Sequence, residues 1–168
     1  MKTSKMKRQK ITPGSILKID LGNGYHSYAR IVTISSFAFY DCKTKTDNSD
    51  LNRIISCPIL FITTVYSDVI TKCIWTIIGE LPVEDSLSKL PPRFIQDPIH
   101  PEQFRIKSYE LNTQTPASFE DCIGMERASV WEAHAIVERL NDYFENRITN
   151  KMDFYDRPEL FKKAKQVA

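Results

Sequence analysis

The stretch SILKIDLGNGYHSYARIVTIS, residues 15–35, narrows the possible folds more than any other part of the chain. Apolar and polar residues alternate on both sides of Gly22, Asn23 and Gly24, three residues that tolerate positive φ, and such a trio between alternating runs makes a tight reversal. The pattern predicts an antiparallel hairpin with one face turned to a core and the other wetter. SFAFYDC (36–42) follows with aromatic strand formers and predicts a third antiparallel strand. KTKTDNSDLN (43–52) is polar and turn-rich, an exposed loop. CPILFITTVYS (57–67) and CIWTIIGELPV (73–83) are dense in β-branched and aromatic residues and predict strands four and five, the latter closing at Gly79 and Pro82.

Beyond them, LSKLPPRFIQDPIHPEQ (87–103) carries four prolines, which remove backbone donors and favour extended conformations, so a connector wrapped over the surface is expected. FRIKSYEL (104–111) alternates again and predicts a sixth strand. In TQTPASFEDCIG (113–124), Thr115 as N-cap, Pro116 at the first helical position and Gly124 past the end predict a short helix. Ser129 and Glu132 have the capping-box spacing and predict a second helix running to about Arg147. The expected fold is α+β: an N-terminal antiparallel, strongly curved or barrel-like sheet of five or six strands with C-terminal helices packed on it. No linker splits the chain, so residues 11–156 are expected to form a single domain between a basic flexible N-terminus (1–10) and a basic tail (157–168).

At 100° per residue, Val130, Ala133, Ile136, Val137, Leu140, Tyr143 and Phe144 fall on one side of the second helix, an apolar stripe suited to a sheet. Arg127, Trp131, His134 and Glu138 then line the opposite side at spacings of four, three and four, which makes them candidate partner-binding residues. Packing competes for the tryptophan, because a first-turn indole is readily covered by the incoming loop. Glu126, Arg127 and Trp131 are accordingly expected to be partly buried.

Chemistry is sparse by comparison. The histidines, His26, His100 and His134, belong to no HxxxH, HxH or HExxH pattern, and Cys42, Cys57, Cys73 and Cys122 form no CxxC pair, so neither a metal site nor a cofactor is expected. Buried reduced thiols suit a cytoplasmic protein. No Walker loop, GxSxG or GxGxxG occurs, which argues against an enzyme; a hydrolase would need a deep polar pocket assembled around Glu126 or His134. No apolar run is long enough to span a membrane or to follow the basic start as a secretory signal. Residues 1–10 hold five basic side chains and no acid, while residues 11–156 hold 14 Lys plus Arg against 20 Asp plus Glu, a net charge of −6. An acidic body is a poor DNA ligand, which makes nucleic acid an unfavoured partner. Phe37, Phe39 and Tyr40 with the basic N-terminus nevertheless leave an alternative, a small β-barrel interaction module that binds a peptide or nucleic acid.

Four segments taken in order, GSILKIDLGNGYHSYARIV, WTIIGELPV, PPRFIQDP and CIGMERASVWEAHAIVERL, give a specific resemblance. Over roughly residues 12–146 the chain resembles the Immunity protein 26 family, bacterial proteins that neutralise the toxins of polymorphic toxin systems. The motif positions are Gly14 and Gly24, Trp75 with Gly79 and Pro82, Phe94 with Gln96 and Asp97, then Glu126, Arg127, Ala128, Val130, Trp131, Arg139 and Leu140. The chain departs from the family at Asp20, where proline is frequent, and at Ala135, where histidine is expected and His134 lies one place earlier. The resemblance implies a small α+β immunity protein without catalytic residues, and as partner a cognate protein toxin, with a nuclease-type toxin fitting the acidic body.

Overall fold

In the computed structural model, residues 7–146 are described. Only positions 7–10 of the basic N-terminus fall within that range, and the tail at 157–168 lies outside it. Nine strands form: β1 (Ser15–Asp20), β2 (His26–Ile31), β3 (Ser36–Thr44), β4 (Ile59–Val65), β5 (Thr76–Glu80), β6 (Arg93–Gln96), β7 (Phe104–Ser108), β8 (Thr113–Ala117) and β9 (Val130–Trp131). Three short helices, α1 (Leu51–Ile55), α2 (Asp68–Thr71) and α3 (Asp85–Ser88), precede a longer one, α4 (Ala133–Phe144). Two compact units result, one from the described residues up to Ser88 with Val130–Leu140, the other from Lys89–Ser129 with the described residues from Asn141 onward.

The first unit holds a six-stranded sheet in the order β5-β1-β2-β3-β4-β9, antiparallel throughout except for β4 with β9. Two ends, β5 and β9, leave it an open sheet and not a barrel. The hairpin predicted around Gly22–Gly24 is present, with Ile16 opposite Arg30 and Asp20 opposite His26. Its expected wet face is absent at the centre: Ile16 and Leu17, which point to opposite faces, are both fully buried, as is nearly all of β2. One face packs Ile16, Tyr28 and Tyr40 under Ile54 of α1, a helix that the polar composition of 43–52 concealed. The other carries Phe37 and Phe39 against Trp75, with ring centroids 6.3 and 5.8 Å apart, and Phe39 stacks on Phe61 at 4.7 Å.

Two motif glycines are close-approach points. Gly14 adopts φ +95°, donates to the Ile31 carbonyl at 2.8 Å and accepts from Leu81 N–H at 3.0 Å, and a side chain there would strike the Leu81 carbonyl. Gly79 lies against Leu51, whose side chain occupies the space a Cβ would need. Beside this junction the fully buried Arg30 donates to both Glu84 carboxylate oxygens, at 2.9 and 2.7 Å, and to the Leu81 and Pro82 carbonyls. It thereby ties β2 to the segment after β5.

The second unit contains a separate antiparallel sheet in the order β6-β7-β8, over a small core of Phe94, Phe104 and Cys122. Three expectations change here. The proline-rich connector contains β6, with Pro91 and Pro92 just before the strand and Pro98 after it, where no ladder donor is required. Residues 104–108 form a strand but pair with β6 and β8 instead of extending the first sheet. The helix expected at Thr115 and Pro116 is strand β8, an edge position that tolerates proline, and the reciprocal cap lies three residues on. There Asp121 N–H donates to Ser118 Oγ at 3.1 Å and Ser118 N–H to the Asp121 carboxylate at 3.0 Å, opening a 3-10 turn, Glu120–Cys122.

The capping box at Ser129 and Glu132 is likewise not used. Val130 and Trp131 are extended, paired with Thr64 and Val65, and α4 starts at Ala133 with Ile136 N–H donating to the Glu132 carbonyl at 3.2 Å. Among the described residues, one α-helix stands where C-terminal helices were expected. Of its apolar stripe, Ile136 and Leu140 are fully buried, but Val130 and Tyr143 are exposed.

Candidate partner-binding groove

A surface groove of about 650 Å³ forms where β4 ends and α4 begins, both within the first unit. The parallel pairing positions its two sides, since Tyr66 N–H donates to the Trp131 carbonyl at 3.1 Å and so sets the residues after β4 beside the start of α4. From the first side come Tyr66, Ser67 and Asp68, the last in the opening turn of α2; from the second come Glu132, Ala133 and His134. The floor is completed by Ile74. Cys73, at φ +55°, turns the chain after α2 so that the neighbouring side chains part: Trp75 goes into the core and Ile74 is left 50% exposed. Tyr66 is 52% exposed. A second depression of about 580 Å³ shares Ile74, Ala133 and His134 and adds Asp20, Val137 and Glu138.

The lining combines apolar and acidic side chains. Asp20, Asp68, Glu132 and Glu138 contribute carboxylates, and no Lys or Arg lines either hollow. Asp68 is approached by Lys72 at 3.4 Å, and Glu132 by His134 Nδ1 at 3.2 Å. These are solvent-exposed pairs, which contribute little to stability and are easily exchanged for a partner's charges.

The four residues expected to share one helical stripe are distributed differently, because the helix begins after two of them. His134 and Glu138 line the groove. Trp131 lies in β9, 4% exposed, and presents no ring to the surface. Arg127 belongs to the second unit, its guanidinium 4.9 Å from the Phe94 ring and donating to Gln96 Oε1 at 2.8 Å. Glu126 is partly buried, its carbonyl accepting from Phe94 N–H at 3.1 Å.

Arg139 holds in place the helix that forms one side of the groove. Its buried guanidinium lies 3.6 Å from the Phe61 ring centre and 5.0 Å from that of Trp131, cementing α4 to β4 and β9. Lysine keeps the charge and loses the flat stacking surface. Arg139→Lys is therefore expected to destabilise the fold by about 1 kcal/mol, read as a lower urea midpoint at unchanged slope.

Sequence reasoning missed Tyr66, Asp68 and Ile74. The only signal was the Ser67–Asp68 pair between two strand-like runs, a weak helix start that marks the interruption where side chains surface. The reverse error concerns Phe37, Phe39 and Tyr40, the aromatics of the alternative interaction module: all three are buried, and none offers a platform for a peptide or a base.

Chemically the groove suits contact. Its imidazole and carboxylate stand in water, with the His134 and Glu132 side chains about two-thirds exposed. Among the described residues no three His, Cys, Asp or Glu side chains gather as metal ligands, and no helix is long and apolar enough to cross a membrane. Compared with known proteins, the chain matches the family model described as Immunity protein 26 over residues 12–105. No curated protein and no solved structure matches it.

Proposed function

Since the chain belongs to the Immunity protein 26 family, we propose that it binds a cognate bacterial toxin domain in the cytoplasm and neutralises it by covering the toxin's active site or the path of its substrate. The groove between Tyr66 and α4 is the contact face in this reading. One observation carries the assignment of the face: Tyr66 and Ile74, two large side chains about half exposed, sit among four carboxylates, with no Lys or Arg in the lining of the two hollows. An aromatic and aliphatic centre with a polar rim is the composition of an interface hot spot. The acidic rim selects a basic partner surface and speeds the encounter, which favours a toxin that itself binds nucleic acid, such as a nuclease. His134 and Glu138 are rim residues here, while Trp131 and Arg139 hold the helix that presents them.

Co-expression with the toxin encoded by the neighbouring gene tests the function: the cells should survive and a complex should be recoverable. Death of the cells with no complex would sink the proposal. For the face, Tyr66→Ala combined with Ile74→Ala should weaken toxin binding by about 2 kcal/mol, roughly 30-fold, with Tm unchanged. Full affinity in that variant would move the contact elsewhere while leaving the function standing.

A further inference from the structure

Cys42, in β3, and Cys57, two residues before β4, are 15 residues apart in the chain and lie side by side, with their thiols close enough to interact. After the bulge at Phe39/Tyr40, the β3–β4 ladder pairs Tyr40 with Ile59, and Asp41 N–H donates to the Pro58 carbonyl at 2.8 Å. Continued one step past Asp41 and Pro58, the same register would bring Cys42 level with Cys57, which lies just outside β4 and donates from its N–H to the Ile54 carbonyl at 3.1 Å. A non-hydrogen-bonded position of that kind sets opposed Cα atoms about 4.5 Å apart, with the side chains closest. That spacing lies within the range a disulfide spans, about 4.4–6.8 Å. Both thiols are free and half-buried, and both pack against the cluster of Ile16, Tyr28, Tyr40 and Ile54. Cys73 and Cys122 have no such counterpart: Cys73 lies beside the Lys7 carbonyl, and Cys122 is buried in the core of the second unit.

We infer that Cys42 and Cys57 are a reversible disulfide site, closed by a small-molecule disulfide as oxidant, which staples the loop carrying α1 to the sheet. The chemistry is two exchanges. One cysteine thiolate attacks the oxidant's S–S bond, forming a mixed disulfide and releasing one reduced thiol. The other cysteine thiolate then displaces the second oxidant thiol, so two protein S–H bonds become one S–S bond and the oxidant leaves as two thiols.

The surroundings make this a slow, stabilising closure and not a fast sensor. Burial and the adjacent Cys57 push the Cys42 thiol up to about 12, so little thiolate is available to attack. The same environment gives the reduced pair no stabilised thiolate to fall back to, which favours the oxidised form once made. Closure restrains residues 42–57, including α1, whose Leu51 and Ile54 cover one face of the sheet.

The test uses the full chain with oxidised glutathione at neutral pH: one portion goes directly to intact mass, and another to iodoacetamide under denaturing conditions and then tryptic digestion. A mass lower by about 2 Da, a linked peptide pair containing Cys42 and Cys57, and alkylation retained at Cys73 and Cys122 are expected. The oxidised chain should melt roughly 6–12 °C higher than the reduced one, and dithiothreitol should reverse the shift. Cys42→Ser should abolish the linked pair and the rise together. Any of three results would overturn the inference: a stable glutathione adduct in place of the internal bond, a bond between other cysteines or between chains, or full alkylation of all four thiols after prolonged exposure.

Discussion

Arg30→Ala is expected to destabilise the fold by about 3 kcal/mol, because the guanidinium it removes is the buried member of a bridge between β2 and the segment after β5. The Arg30 side chain is wholly buried, while that of Glu84 is 46% exposed. Water can therefore rescue the carboxylate, whereas the Leu81 and Pro82 carbonyls lose their donor and the side-chain volume is left empty. Arg30→Met retains most of the volume and should lose only about 1–2 kcal/mol. The pH dependence separates packing from charge. The hydrogen bond from Arg30 holds the Glu84 carboxyl below its ordinary value of 4.5, so the bridge contributes fully above that value. Its contribution is lost as pH falls through the lowered folded-state value. Denaturant titrations of the parent chain at pH 7, 4 and 3 should show this loss; Arg30→Met should lack the component. An unchanged acid profile in Arg30→Met would place the stability elsewhere.

Trp75→Ala should have the larger effect, about 3–5 kcal/mol, with a fall in Tm of roughly 6–20 °C. The indole is 2% exposed and packs on both Phe37 and Phe39, so truncation leaves a cavity between rings that are fixed to β3 and cannot collapse into it. Ile34→Ala, at a side chain 74% exposed, should change Tm by less than about 1 °C and serves as the control. Thermal unfolding followed by far-UV circular dichroism measures both. A loss at Trp75 no greater than at Ile34 would mean that the aromatic cluster is not the core of this unit.

What could be foreseen from the residues follows the range of the interactions. Alternation around Gly22–Gly24 is a local signal with a local result, the β1–β2 hairpin, and β3 to β5 fall in the runs rich in aromatic and β-branched residues. Ser129 and Glu132 show the opposite case. Their spacing satisfies a local capping rule, but Val130 and Trp131 are captured as a strand by Thr64 and Val65, more than sixty positions earlier. No window on the sequence sees that contact. Thr115 and Pro116 fail similarly, because they pair with Ile106 and Arg105 of β7 as an edge strand. Half of the groove's lining is legible: helical spacing picks out His134 and Glu138, whereas Tyr66 and Ile74 sit in runs that look like core. Only the turn at Cys73 decides that Ile74 faces outward and Trp75 inward.

The parallel contact between β4 and β9 also sets an order of events during synthesis. The strands from β1 to β5 can assemble as soon as about 80 residues have left the ribosome, yet β4 keeps an open edge until residues 130–131 emerge. For that interval Thr64 and Val65 are a bare strand margin, a surface prone to pairing with other chains. Closing it and building the groove are the same step, because the residues that cover the margin lead directly into α4. A nascent chain thus acquires its protected edge and its acidic groove together, once residues 130–138 have emerged.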